Sequence, residues 1–383
     1  MSNWRLLPCV LILAVLQGCS WFEGDDEDAF RPADLPNITE QFEAEIAWSI
    51  DVGEGVGEFY NKITPAILSN RIYISDAEGL VTALDARTGE KIWQTEVGSE
   101  IFGGVAASAG LVALGSSNAE VIVLNADTGQ EEWRNLVSSE IVSSPVISDG
   151  KVMVRTIDGK VFALNARTGQ RDWLYDRSVP ALTLRGNASL SAGGGVVVTG
   201  FSNGKIVLFL VENGRAVWEK RIASASGRSE LDRVVDADAT PVLVGETIYA
   251  LTFNGNIGAY NVRNGDALWQ RELSSYQNLN VDGQIISVVD ARSRVRALDR
   301  RTGGTLWTNE ELFDRRLTAA VSFGGYIVAA DYEGYLHWFN TDTGRLVARN
   351  DLSGDGIVAD PVATGTTLYV YTRSGKLVAL RAP

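Results

Sequence analysis

One unit of about 40 residues recurs along almost the whole chain, and that repeat limits the fold more than any other feature. Ala83-Leu84-Asp85-Ala86-Arg87-Thr88-Gly89-Glu90-Lys91-Ile92-Trp93 returns as Ala163-Leu164-Asn165-Ala166-Arg167-Thr168-Gly169-Gln170-Arg171-Asp172-Trp173. The pattern ends again at Trp133, Trp218, Trp269 and Trp307, and around Gly344 with Ala348 in the Trp slot. Glu45-Ile46-Ala47-Trp48 is the tail of a further copy without its head, and Gly375-Lys376-Leu377-Val378-Ala379-Leu380 is a head without a tail. Seven internal units and two complementary halves make eight, with slot intervals of 45, 40, 40, 45, 51, 38 and 41 residues. A period near 40 with four short strands per unit is the pattern of a β-propeller.

One unit shows the strands. They are expected over Val142 to Ile147, Lys151 to Thr156, Lys160 to Asn165 and Arg171 to Tyr175. Asp149-Gly150 and Asp158-Gly159 are short hairpin signals between them, and Asn165 to Gly169 makes the third turn. Pro65, Pro145, Pro241 and Pro361 fall where a first strand begins, a position that tolerates a missing N–H. The expected fold is all-β: an eight-bladed propeller of four-stranded antiparallel blades. Residues 46–50 complete the last blade and close the ring, which removes a free strand edge.

Composition then excludes several functions. With 34 Lys and Arg against 48 Asp and Glu, the net charge of −14 speaks against a nucleic-acid partner. One His and two Cys remove most metal and nucleophile chemistry. There is no H-E-x-x-H and no G-x-S-x-G, and the acids of Asp25 to Asp28 and Asp232 to Asp238 lack the loop of an EF-hand; with acids this abundant, paired carboxylates are only a weak signal. His337 sits on the third strand of its blade, where a structural His is expected, since no nucleophile or acid is singled out for it. Most of the ten Trp share the repeat slot, as blade-to-blade packing requires, so no aromatic ligand platform is read from them. No catalytic residue, cofactor or metal site is expected.

Two regions stand outside the repeat. Arg5, an apolar run from Leu6 to Leu16 and Leu16-Gln17-Gly18-Cys19 read as a secretory signal over 1–18 that ends in a sequence resembling the lipobox of bacterial lipoproteins. Cys19 would be lipidated, and Ser20, not Asp, follows it, which by that resemblance favours the outer membrane. Residues 19–43 carry Glu23, Asp25, Asp26, Glu27 and Asp28 and then Pro32 and Pro36, and are expected to form a solvated tether ahead of a propeller over 44–383. The second region is a pair of insertions. The interval of 45 residues from Trp173 to Trp218 and that of 51 from Trp218 to Trp269 each lengthen a connection from a fourth strand to the next first strand, in neighbouring blades and on one face. Leu182 and Leu184 would point to the same side of an extended segment. From the residues alone, they serve equally well as the anchor of a loop or as an exposed contact.

The Asp/Asn-x-x-Thr-Gly-x-x-x-x-Trp unit resembles the repeat of pyrroloquinoline-quinone-type propellers, shared by quinoprotein dehydrogenases and by the BamB lipoproteins of the outer-membrane β-barrel assembly machinery. The dehydrogenases typically carry adjacent cysteines beside the quinone, and the mature domain here has no second Cys. The lipobox, the tether, the eight units and the inserts Pro180-Ala181-Leu182-Thr183-Leu184-Arg185-Gly186 and Ser229 to Pro241 resemble BamB, as does Gly334-Tyr335-Leu336-His337-Trp338. That resemblance implies a non-catalytic scaffold on the periplasmic side of the outer membrane. It implies docking on POTRA domains of BamA through Leu182, Leu184, Arg185, Asp236 and Asp238, with Arg185 and the two acids bordering an apolar hot spot. The rivals are a quinone-dependent dehydrogenase and a glycan- or peptidoglycan-binding lipoprotein using the central funnel.

Overall fold

Thirty-two strands in the described residues assemble into eight four-stranded antiparallel sheets. The computed structural model describes residues 32–57, 61–176, 188–223, 237–352 and 355–382. In seven blades the strands follow chain order; the first is Ala66–Leu68, Arg71–Ser75, Leu80–Asp85 and Lys91–Glu96. The eighth is composite. Strand β1 (Ile46–Asp51) pairs with Lys376–Arg381, matching Trp48 to Ala379 and Ile50 to Leu377, and so joins the two ends of the ring.

In the third blade the strands run Val146–Ser148, Lys151–Arg155, Val161–Asn165 and Arg171–Tyr175. The inner strand is shorter than expected, and all eight inner strands have three residues. Strands converge at the axis, so residues before Pro145 turn into the connection instead of pairing. Pro65, Pro145, Pro241 and Pro361 each immediately precede an inner strand. The middle strands are buried on both sides because each blade lies between two others, whereas the outer strands alternate between exposed and partly covered residues. Core clusters accordingly draw on adjacent blades, as where Tyr73, Val81 and Ala83 pack with Val112, Leu114 and Ile122.

The repeat motif is a device for joining blades. Asn165 Oδ1 accepts the amides of Arg167 and Thr168, both at 3.1 Å, and shapes a turn that needs Gly169 at φ +71°. The indole of Trp133, from the preceding blade, lies against that glycine and donates Nε1–H to Ala166 O at 2.9 Å. Trp48, Trp93, Trp173, Trp218, Trp269 and Trp307 make the equivalent bond to the next blade at 2.7 to 3.2 Å. Just before each Trp the pairing slips by one residue: Ala163 faces Trp173 but Leu164 faces Arg171. That bulge turns the indole towards its neighbour and leaves the preceding residue outside, which is why Ile92, Val217, Leu268 and Leu306 are exposed.

The seventh blade departs from this scheme. Its slot holds Ala348, and the residue paired across from it is Trp338, where most blades place Ala opposite Trp. The large and small side chains have changed strands. Trp338 is fully buried and bonds Asn350 Oδ1 at 2.8 Å, and Phe42 meets it edge-on at 5.5 Å.

Phe42 belongs to the segment expected to be a solvated tether, and here the structure corrects the expectation. Residues 32–383 belong to one compact unit. Gln41 N donates to Val347 O at 2.9 Å, Asn350 Nδ2 donates to Ala44 O at 3.2 Å, and Ala44 is buried. The acids and prolines of the tether made it look uniformly polar. Yet Ile38, Phe42 and Ala44 supply apolar groups that cover the seventh blade, and Arg315 and Arg349 satisfy main-chain carbonyls of residues 32–44, which form a strap.

Candidate partner-docking face

A propeller has two faces. Here one carries the second-to-third hairpins together with the fourth-to-first connections, which are tied by Ser117 N to Glu100 O at 2.9 Å and Ile157 N to Glu140 O at 3.0 Å. The other carries the Asx turns, joined to the first hairpins by bonds such as Ala166 N to Gly150 O at 2.9 Å. Both lengthened connections belong to the first face.

Of the expected contact residues, Leu182, Leu184, Arg185 and Asp236 lie outside the described residues, as does Cys19. Asp238 is described and is only 8% exposed, between the buried Ala237 and Ala239. It sits at the root of the second insert and not on an open surface.

The roots are nonetheless well defined. The first insert returns at Ala188, which is fully buried; the second returns at Ala237, packed so closely on Gly200 that a Cβ there would lie 2.4 Å from Ala237 O. Ser189 N donates to Thr240 Oγ1 at 3.0 Å, Thr240 N to Asn278 Oδ1 at 2.8 Å, and Asn278 Nδ2 to Asp360 Oδ2 at 2.7 Å. Ala319 N bonds the other oxygen of Asp360 at 3.0 Å. These residues are equivalent positions, each just before an inner strand, and together they lace the ring near its axis. The two inserts therefore re-enter side by side, and polar groups near the axis are spent on one another. Sequence spacing located the inserts; it carried no sign of this belt.

The same face holds a charged cluster. Arg315 and Asp331 are both buried and paired at 2.7 Å, and Arg315 also bonds Glu333. Asp331 Oδ2 meets His337 Nε2 at 3.0 Å, and Arg349 Nε donates to His337 Nδ1 at 3.4 Å. Burial chiefly, helped by Arg349 and Arg315, pushes the His337 pKa below its ordinary value. Burial would raise that of Asp331, but the hydrogen bond from His337, the Tyr335 amide and Arg315 outweigh it and hold the carboxyl low. A neutral His337 donating to an ionised Asp331 follows. His337 is 0% exposed, so this pair is structural. Among the described residues no group of three or more His, Cys, Asp or Glu is placed to hold a metal ion, and no helix is long and apolar enough to cross a membrane.

Fold and face define a class: an eight-bladed, Trp-docked propeller whose polar residues brace its own ring and whose elaboration is confined to one face. The family described as outer membrane protein assembly factor BamB matches residues 77–309 and 291–382. The chain is 40% identical over 385 residues to the outer membrane protein assembly factor BamB of Escherichia coli strain K12, covering 98% of each. It is 44% identical over 379 residues to that of Pseudomonas aeruginosa, covering 99% of each. The crystal structure of BamB from Moraxella catarrhalis superposes with a TM-score of 0.81 at 26% identity, covering 88% of this chain and all of that one. The chain belongs to the BamB family. Quinohemoprotein alcohol dehydrogenase from Comamonas testosteroni, with a TM-score of 0.71 at 15% identity, shares the fold.

Proposed function

We propose that this chain is a non-catalytic outer-membrane protein assembly factor. The observation that carries the reading is its likeness along 98% of its length to assembly factors of that name. In this reading Cys19 is lipidated and holds the propeller on the periplasmic side of the outer membrane. The propeller docks on POTRA domains of BamA and assists the folding and insertion of β-barrel proteins.

The docking site is the pair of inserts. Their placement on one face and the bond between their roots support a contiguous patch. Leu182, Leu184, Arg185 and Asp236 are its proposed contacts. Asp238, being buried, contributes by bracing the second root.

The test is binding to purified BamA periplasmic domains. Leu184→Ala with Arg185→Ala should weaken binding at least about thirtyfold while leaving the melting curve near wild type, since a hot spot carries about 2 kcal/mol or more. Asp238→Ala should lower the melting temperature as well. A folded Leu184→Ala/Arg185→Ala protein that binds at wild-type affinity would place the site elsewhere.

A further inference from the structure

The strap is held largely by its main chain. Arg315 Nη1 donates to Ala33 O at 2.9 Å, Arg349 Nη2 to Pro36 O at 3.1 Å, and Gln41 N bonds Val347 O at 2.9 Å. Bonds of this kind hold a path and do not read side chains. Both arginines are fixed from behind, Arg315 by Asp331 and Glu333, and Arg349 by His337. Phe42 then anchors the far end against Tyr326 at 4.7 Å and Trp338.

The strap also has a direction. Ala33 N donates to Phe313 O at 2.9 Å, in the connection between the sixth and seventh blades, on the face of the fourth-to-first connections. Phe42 lies against Tyr326, which follows a first hairpin at the opposite face. Followed backwards, the described chain climbs the outside of the seventh blade and reaches Pro32 on the face that carries the inserts.

We propose that the Arg315–Asp331–His337–Arg349 cluster is an anchor clamp, which fixes the exit of the N-terminal leash on the face of the fourth-to-first connections and so turns that face towards a lipid bilayer. The inference rests on the lipidation of Cys19 proposed above. Leash length supports the bilayer as the surface that is faced. The roughly 13 residues from Cys19 to Pro32 reach at most about 45 Å. A domain of about 350 residues has a radius of gyration near 20 Å, so the docked leash is no longer than the body it holds. Released as far as Ile46, it becomes roughly 27 residues with a reach of about 95 Å, and the ring is free to turn over. Doubling a flexible leash also lowers the effective concentration at a membrane-bound partner roughly threefold.

The test uses the acylated protein in phosphatidylethanolamine/phosphatidylglycerol vesicles carrying an acceptor dye in the bilayer. A donor dye is placed on Asn118→Cys, in a second-to-third hairpin, or on Arg167→Cys, in an Asx turn; both positions are exposed and they lie on opposite faces. Energy transfer should be at least twofold greater from position 118. In Arg315→Ala/Arg349→Ala the ratio should fall to near one, while hydrogen exchange at the Gln41 amide accelerates. Because Arg315 is buried, replacing residues 32–42 by a Gly/Ser linker of the same length provides a second release variant that leaves the side chains of the cluster unchanged. Equal transfer in the wild type overturns the proposal, as does a ratio that persists once the strap exchanges freely. A purified chain whose mass shows no acyl group and that does not float with vesicles removes the anchor, and the clamp's purpose with it. That outcome is separate from an anchored ring that points the wrong way.

Discussion

Gly150 and Gly169 lie in the same blade with nearly the same backbone, at φ +74° and +71°. Alanine at either position meets the left-handed penalty of about 1–2 kcal/mol. Their surroundings differ. A Cβ on Gly150 has nothing within 4 Å, whereas one on Gly169 lies 2.7 and 2.8 Å from the Cε3 and Cδ2 of Trp133. Those atoms must retreat by nearly 1 Å, and the indole cannot do so without straining its bond to Ala166 O. Overpacking of this kind costs a further 1–3 kcal/mol or so. Gly150→Ala should therefore lose about 1–2 kcal/mol and Gly169→Ala about 2–5 kcal/mol. Urea titration of the soluble mature domain reads both, provided the slope is unchanged. In a Trp133→Leu background the gap between the two should shrink to about 0.5 kcal/mol, because the colliding ring is gone. Equal losses in the wild-type background would refute the view that the Thr-Gly step exists to receive the preceding blade's Trp.

Three further outcomes are expected. Deleting Ile46 to Ile50 removes the outer strand of the eighth blade and the Trp48 bond to Ala86, so the whole ring should lose several kcal/mol and melt earlier; an unchanged melt would contradict closure by this strand. Phe42→Ala should cost about 1–3 kcal/mol, less than a fully buried Phe because the ring is only half-covered, and native-state hydrogen exchange should show the loss concentrated in the seventh blade. Acidification should act through His337 first. Its folded pKa lies below the ordinary value near 6.5, so the unfolded chain binds the proton first, and the stability present above about pH 6.5 declines as pH falls towards the folded pKa. Asp331, also held low, loses its contribution in a separate window below about pH 4. Urea titrations from pH 7 to 5 should slope less in His337→Gln than in the wild type; identical slopes would show that His337 does not titrate with folding.

What the amino-acid order determined by itself was whatever repeats. Repeated copies of one local rule, built from a polar turn, a glycine and in most units an indole, set the strand count, the turns and the split eighth blade, because each piece of that rule acts within a few residues. The two longer intervals likewise marked the inserts and their shared face. Tertiary structure decided what depends on groups far apart in the chain. Ala348 read as a blank in the Trp slot, yet it is one half of an exchange with Trp338 on the neighbouring strand. Residues 32–43 read as tether because their acids and prolines favour solvent, yet Ile38 and Phe42 gain cover only from the seventh blade, about 300 residues later. His337 read as structural, but its partner Asp331 became visible only when the hairpin folded back upon it. Asp238 illustrates the limit from the other side. The family resemblance implied an exposed contact there, but burial belongs to the ring as a whole, and the ring closes over the root of that connection.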